Sequence, residues 1–206
     1  MKTLLMIARH GNTFSPGDVV TRVGARTDLP LSPSGLEQGW RLGLYLREKN
    51  LLPDAVYTSS LQRTTQTAEQ AFAAADITRD INVNPLFNEI DYGIDENKPE
   101  AEVVARVGAE ALKAWDEDAV VPDGWKVDVP TIIRGWIDFG EKIARDEAGK
   151  KILVVTSNGI ARFAPHLTGD FAGFRRAHKL KISTGALCLL AHEGGAWKIE
   201  GWNIKA

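Results

Sequence analysis

Arg9 and His10 stand side by side where an apolar run, Thr3 to Ala8, breaks off at Gly11. A guanidinium offers a planar fork for phosphate or carboxylate. An imidazole serves as base, acid or nucleophile near neutral pH. Gly11 lets the backbone approach a ligand closely. A second cation, Arg63, follows the polar pair Ser59-Ser60, and a third polar cluster, Ser157-Asn158-Gly159, closes the run Lys150 to Thr156. Two guanidiniums, an imidazole and two helix starts in one pocket would suit a phosphate monoester. Its oxygens need positive groups, its phosphorus a nucleophile and its leaving oxygen an acid. Taken alone, Arg9-His10 is equally explained as a surface pair capping a strand, and Arg63 as a solvated residue.

For these residues to meet, three strands must end on one side of a sheet. Thr3–Ala8, Asp54–Ser60 and Lys150–Thr156 each read as a short buried strand closed by a polar turn. Open α/β sheets bind ligands at the carboxyl ends of such strands, and right-handed crossovers bring those ends together. The first helix starts either with Ser32 as N-cap and Pro33 in the first turn, or with Ser34 and Glu37 as a capping box. It runs to about Lys49, with Leu36, Gly39-Trp40 and Gly43-Leu44 on one face. Ser60 caps a second helix, Leu61 to about Ala75, placing Arg63 in a first turn that already favours anions.

Phe14–Asp28 reads as a loop that brings Arg22 and Arg26 to the mouth of the pocket. Asp80–Leu86 is a short strand, and Phe87–Gly93 a loop with two acids, Glu89 and Asp91. Helices over Pro99–Trp115 (stripe Val104, Val107-Gly108, Ala111, Trp115) and Thr131–Glu147 (Ile133, Trp136-Ile137, Gly140, Ile143-Ala144) are expected to form a small cap at about 99–147. Ile160–Leu167 is a helix interrupted at Pro165. Ser183–His192 and Trp197–Asn203 form a hairpin about Gly194-Gly195. With no repeat, linker or low-complexity tract, residues 1–206 read as one domain.

Composition excludes more than it identifies. The net charge of −2 over 206 residues leaves no basic footprint for nucleic acid. The single cysteine, Cys188, sits in an apolar run and cannot pair within the chain. No Cys or His spacing suits a metal, and no segment approaches a membrane span. A cytoplasmic protein without a cofactor is expected. The edge strand Trp197–Asn203 leaves a homodimer open.

Five blocks in order now carry a resemblance: ARHGNT, TDLPLSPSG, YTSSLQRTTQTAE, LFNEIDYG and VVTSNGIAR. Together they span nearly the whole chain and resemble the histidine phosphatase superfamily, the phosphoglycerate-mutase-like group. The resemblance implies an α/β fold, a three-layer α/β/α sandwich around a mostly parallel central sheet. It implies that His10 is the nucleophile that becomes phosphorylated, that Arg9 and Arg63 bind the phosphoryl oxygens, and that Glu89 protonates the leaving oxygen. Asn12 and Thr13 would border the pocket, and no metal would take part. Asp91 remains the rival acid. As general acid, Glu89 needs its pKa raised by burial or by Asp91.

The chain departs from that pattern once. The family's second histidine is expected at the end of the late strand, where this chain has Ser157 followed by Asn158. His166, His178 and His192 lie elsewhere and read as surface or structural. Losing one such donor from a catalytic anion site typically costs ~3–4 kcal/mol. Ser157 donates a neutral hydrogen bond, weaker by about half, and Asn158 adds donors. The leading expectation is therefore a weakened or retuned phosphatase acting on a small phosphorylated substrate. The alternatives are a non-catalytic binder of phosphorylated ligands and, less favoured, a mutase.

Overall fold

The two longest apolar runs become neighbours in the middle of the sheet. A computed structural model describes every residue from Met1 to Ala206. Its strands are β1 (Thr3–Arg9), β2 (Ala55–Thr58), β3 (Ile81–Val83), β4 (Lys151–Thr156), β5 (Leu187–Glu193) and β6 (Ala196–Ile204). They lie in the order β3-β2-β4-β1-β5-β6. β1 to β4 run parallel, and β5 and β6 are antiparallel additions. β1 and β4 are apolar at nearly every position because both faces of the sheet are covered.

Alternation along the strands sorts the core into two layers. Leu4, Met6 and Ala8 of β1 pack with Leu153 and Val155 beneath α1 (Pro33–Glu48) and α2 (Gln62–Ala75). Leu5 and Ile7 pack with Ile152 and Val154 on the other face. That face is covered by Trp136, Phe139 and Ile143 of the helix after α3 (Glu100–Val107) and α4 (Ala109–Asp118), namely α5 (Val129–Asp146). Two short helices, α6 (Asn158–Ala161) and α7 (Phe171–Ala177), follow β4. The result is the expected α/β architecture, with a mostly parallel sheet between helices. The Gly194-Gly195 turn joins β5 to β6 with both residues at positive φ.

Several local expectations need correction. α1 begins at Pro33 with Ser32 as N-cap, its oxygen accepting from Gly35 N at 3.2 Å. Its inner face is not the leucine-tryptophan stripe: Leu36, Trp40 and Leu44 are exposed, while Gly35, Gly39, Leu42, Gly43 and Leu46 are buried. The helix packs by its glycine ridge, which lets the α2 backbone come close. α2 is not capped by Ser60, whose N–H and hydroxyl both donate to Asn88. Asp28 supplies the cap from the preceding loop, accepting from Gln62 N at 2.8 Å. Gly108, at φ +83°, breaks the Pro99–Trp115 helix into α3 and α4. Val103, Leu112 and Trp115 are the residues this pair buries. The Asp80–Leu86 strand shortens to β3 because Asn84 caps a 3-10 turn over Pro85–Phe87. Likewise β5 begins only at Leu187, after a turn through Ser183–Ala186.

The α1–α2 contact gives a stability test whose sign is informative. A Cβ on Gly43 would overlap the carbonyl of Ala71, a backbone group with nowhere to move. In an exposed helix, Gly→Ala stabilises by about 1 kcal/mol. Here overpacking should dominate, and Gly43→Ala should destabilise by about 1–3 kcal/mol in urea unfolding. A stabilised variant would show that the two helices do not touch along this ridge.

Candidate active site

The β1–β4 register sets the site. Arg9 pairs with Thr156, and His10 N donates to Thr156 O at 3.0 Å, so His10 and Ser157 leave adjacent strand ends together. His10 is 8% exposed. Its Nδ1 lies 2.7 Å from Gly11 O. A carbonyl only accepts, so Nδ1 carries the proton and Nε2 keeps its lone pair. Burial, together with the charges of Arg63 and Arg9, holds the His10 pKa well below the ordinary imidazole value. The imidazole is therefore neutral at pH 7.

Two guanidiniums flank it. Arg9 Nη1 donates to Ile182 O at 2.6 Å. Arg63 is fully buried and donates through Nη1 to Thr27 O at 2.8 Å and through Nη2 to Gly24 O at 3.2 Å. In both side chains the Nε–H is buried and has no protein partner. Ser157 Oγ at the end of β4 is in the same condition. Buried donors without acceptors are rare in folded proteins. Four of the five such atoms in this chain belong to Arg9, Arg22, Arg63 and Ser157.

Glu89 arrives from the loop after β3. Its carboxyl accepts from Ile90 N at 2.9 Å and from Gly159 N at 3.2 Å. A Cβ on Gly159 would overlap its Oε1, so only glycine at the start of α6 admits this carboxyl. Burial raises the Glu89 pKa above the usual carboxylate value, against the opposing pull of its backbone hydrogen bonds and the arginines. Asp91 turns away. It accepts from Arg26 Nε at 3.1 Å and Gly93 N at 2.7 Å, outside the pocket.

Arg9, His10, Asn12, Thr13, Glu89 and Asn158 line a pocket of about 810 Å³, whereas Arg63 and Ser157 are fully buried and are not part of its lining. Asn12 borders it with its amide held by Thr184 and Ser34. Asn158 Oδ1 accepts from Ile182 N at 2.8 Å, leaving its amide nitrogen free. Arg22 lines the same pocket, whereas Arg26 instead binds Asp91 and Gly93 O. His166, His178 and His192 pack against Phe171, Phe174 and Trp197 and do not reach it. A second hollow of about 550 Å³, between α5 and the β5–β6 hairpin, holds none of these residues.

Two contributors escape a reading by residue type. Arg162, 1% exposed, lies with Cζ 4.0 Å from the centre of the Trp115 ring and lines the pocket. Its only signal was a position four residues past Asn158. Glu96 is the tie behind Arg63. Its carboxylate accepts from Gly24 N (3.0 Å), Arg26 N (3.1 Å), Thr27 Oγ1 (2.8 Å) and Tyr92 N (3.1 Å). The Gly24 and Thr27 carbonyls it fixes are the ones that hold the Arg63 guanidinium.

With the geometry described, comparison with known proteins is direct. Residues 5–205 match the histidine phosphatase superfamily (branch 1), and the chain belongs to that superfamily. A 2,3-bisphosphoglycerate-dependent phosphoglycerate mutase of Mycobacterium tuberculosis is 29% identical over 178 residues, 85% of this chain and 68% of that protein. The Leifsonia xyli protein of the same name is 30% identical, covering 87% of this chain and 71% of its own length. Among solved structures, a mycobacterial glucosyl-3-phosphoglycerate phosphatase superposes with TM-score 0.78 at 20% identity, covering 99% and 100% of the two chains. A phosphoserine phosphatase of Entamoeba histolytica in complex with 3-phosphoglyceric acid gives 0.76 at 18%, covering 98% and 96%. The structural neighbours are thus phosphatases on this fold, and the sequence relatives are distant mutases.

The Glu96 tie has a measurable consequence. Glu96→Ala frees the segment that orients Arg63, so the His10 pKa should rise toward its ordinary value in an NMR titration. In an Arg63→Met background the same change should have no further effect. Additive shifts would show that Glu96 does not act through Arg63.

Proposed function

We propose that this chain hydrolyses a small phosphomonoester through a phosphohistidine on His10. One observation carries the reading: a buried, neutral imidazole with a free Nε2 lone pair stands between two guanidiniums whose Nε–H groups have no protein partner. Arg9 and Arg63 hold the non-bridging oxygens. His10 Nε2 attacks phosphorus, the P–N bond forms, and the ester P–O bond breaks. Glu89, whose pKa is raised by burial, gives its proton to the leaving oxygen. The Glu89 carboxylate then takes a proton from water as that water attacks phosphorus. The P–N bond breaks, inorganic phosphate leaves and His10 is restored. Every part is a side chain of this chain, so the reading calls for no metal.

Ser157 stands where the family has its second histidine. Its buried hydroxyl supplies a neutral hydrogen bond to the transferring group, aided by the Asn158 amide. This makes the enzyme a slower variant of its class. Ser157 is also the observation that favours a second reading, binding of a phosphorylated ligand without turnover. A mutase is less well supported. The chain matches phosphatase structures end to end but spans only 68% of the tuberculosis mutase.

The deciding assay is phosphate release from an aryl phosphate between about pH 5 and 8, a range that brackets the free imidazole pKa. Release is lost when His10 protonates or Glu89 ionises. The acid limb of kcat/KM should therefore lie below pH 6.5, the ordinary imidazole value, because the His10 pKa is depressed. The alkaline limb belongs to Glu89 and should vanish in Glu89→Gln. His10→Ala should abolish release. No release from the wild type, with vanadate still protecting it against thermal unfolding, would favour the binding reading. Equal release from wild type and His10→Ala would remove His10 from the mechanism.

A further inference from the structure

Arg9 owes its aim to a segment that is neither helix nor strand. Its guanidinium has one hydrogen-bond partner, the Ile182 carbonyl, which accepts from Nη1 at 2.6 Å. Ile182 lies in residues 178–186, the connection from α7 to β5. The same connection reaches the backbone at the nucleophile. Gly185 N donates to Arg9 O at 3.0 Å and to His10 O at 3.3 Å, and Arg9 N donates to Ala186 O at 3.0 Å. Its Lys181 and Thr184 line the pocket. Without a hydrogen-bond ladder of its own, such a segment keeps one shape only if groups from elsewhere satisfy its backbone. Asn158 does so for Ile182 N, at 2.8 Å.

Two more such residues stand together on the last strand. Asn203 Oδ1 accepts from Ser183 N at 2.7 Å, one residue past Ile182. Trp202 Nε1 donates to Lys179 O at 2.8 Å, and its ring packs on Phe174 with centroids 4.7 Å apart. The strand is irregular at this point. From Leu187 to Leu189 β5 advances two residues, whereas from Ile204 to Gly201 β6 advances three. A bulge of this kind re-aims a side chain that regular alternation would point elsewhere. Asn203 also takes φ +56°, a left-handed conformation that asparagine tolerates better than most residues. Both features cost stability in a strand. What they deliver is the hydrogen bond to Ser183 N.

We infer that Asn203, with Trp202 beside it, is a positioning residue for Arg9. It fixes the Ser183 end of the segment, so that the Ile182 carbonyl holds the guanidinium in place at the pocket. The use of that guanidinium rests on the reading of Arg9 as a ligand of the phosphoryl group. The tie from β6 to Arg9 does not.

Asn203→Gly separates the tie from the fold, because glycine accepts φ +56° without strain and lacks only the amide side chain. Inorganic phosphate should bind this variant about three- to tenfold more weakly in isothermal titration, a fraction of the charged hydrogen bond at stake. In the ligand-free protein the His10 pKa should rise in an NMR titration, because the Arg9 charge is one of the causes that depress it. Asn203→Asp keeps an acceptor oxygen and should stay within about twofold of wild-type phosphate affinity. Trp202→Phe keeps a ring on Phe174 but loses the donor to Lys179 O, and should shift both readouts in the same direction by less. In an Arg9→Met background neither change should have a further effect. Unchanged phosphate affinity and an unchanged His10 titration in Asn203→Gly, or effects that add to those of Arg9→Met, would overturn the assignment. A wild type that binds no phosphate would instead remove Arg9 as an anion ligand, and the His10 titration alone would then decide whether Asn203 positions it.

Discussion

The burial of two guanidiniums against a buried imidazole is the constraint from which the rest of this site follows. Each buried charge loses several kcal/mol of hydration, and neither Arg9 nor Arg63 forms a close ion pair in return. Backbone carbonyls of Gly24, Thr27 and Ile182 supply part of what water would have given. The remaining positive potential acts on the neighbours. With burial as the larger cause, it holds the His10 pKa well below the ordinary imidazole value. It also opposes the desolvation that raises the Glu89 pKa, and burial wins.

Such a site survives only if the backbone around it cannot relax. Gly11 and Gly35 touch so closely that a Cβ on Gly11 would overlap the Gly35 carbonyl, and one on Gly35 would overlap Asn12 O. The start of α1 is thereby locked onto the loop that carries His10. Thr67 of α2 accepts from Gly11 N at 3.1 Å, so α2, which carries Arg63, is tied to the same loop. Glu96 closes the arrangement from the other side by fixing residues 24–27, and Ala25 N donates to Ile90 O beside Glu89. His10, Arg63 and Glu89 are therefore positioned through one connected set of short contacts rather than independently.

Much of this is legible along the chain, and for physical reasons. Apolar runs closed by polar clusters identify β1, β2 and β4, and with them the strand-end placement of His10, Ser60 and Ser157. The ordered blocks around Arg9, Arg63 and Glu89 add the family. The inner face of α1 is misread because glycine carries no hydrophobic signal, although close backbone packing is what Gly35, Gly39 and Gly43 provide. The α2 cap is misread because Asp28 reaches it from another segment. Glu96 and Arg162 stay hidden for the same reason. Their partners lie about 70 and 47 positions away, and neither residue type at its own position says so.

The central claim is that His10 accepts the phosphoryl group. The most direct measurement is the intact mass of the protein quenched in base shortly after mixing with an aryl phosphate. Phosphohistidine survives base and is lost in acid. The account predicts a wild-type population heavier by one phosphoryl group, reverting on acid treatment and absent in His10→Ala. A wild type that releases phosphate while never gaining that mass, or a His10→Ala protein that gains it equally, would contradict the account.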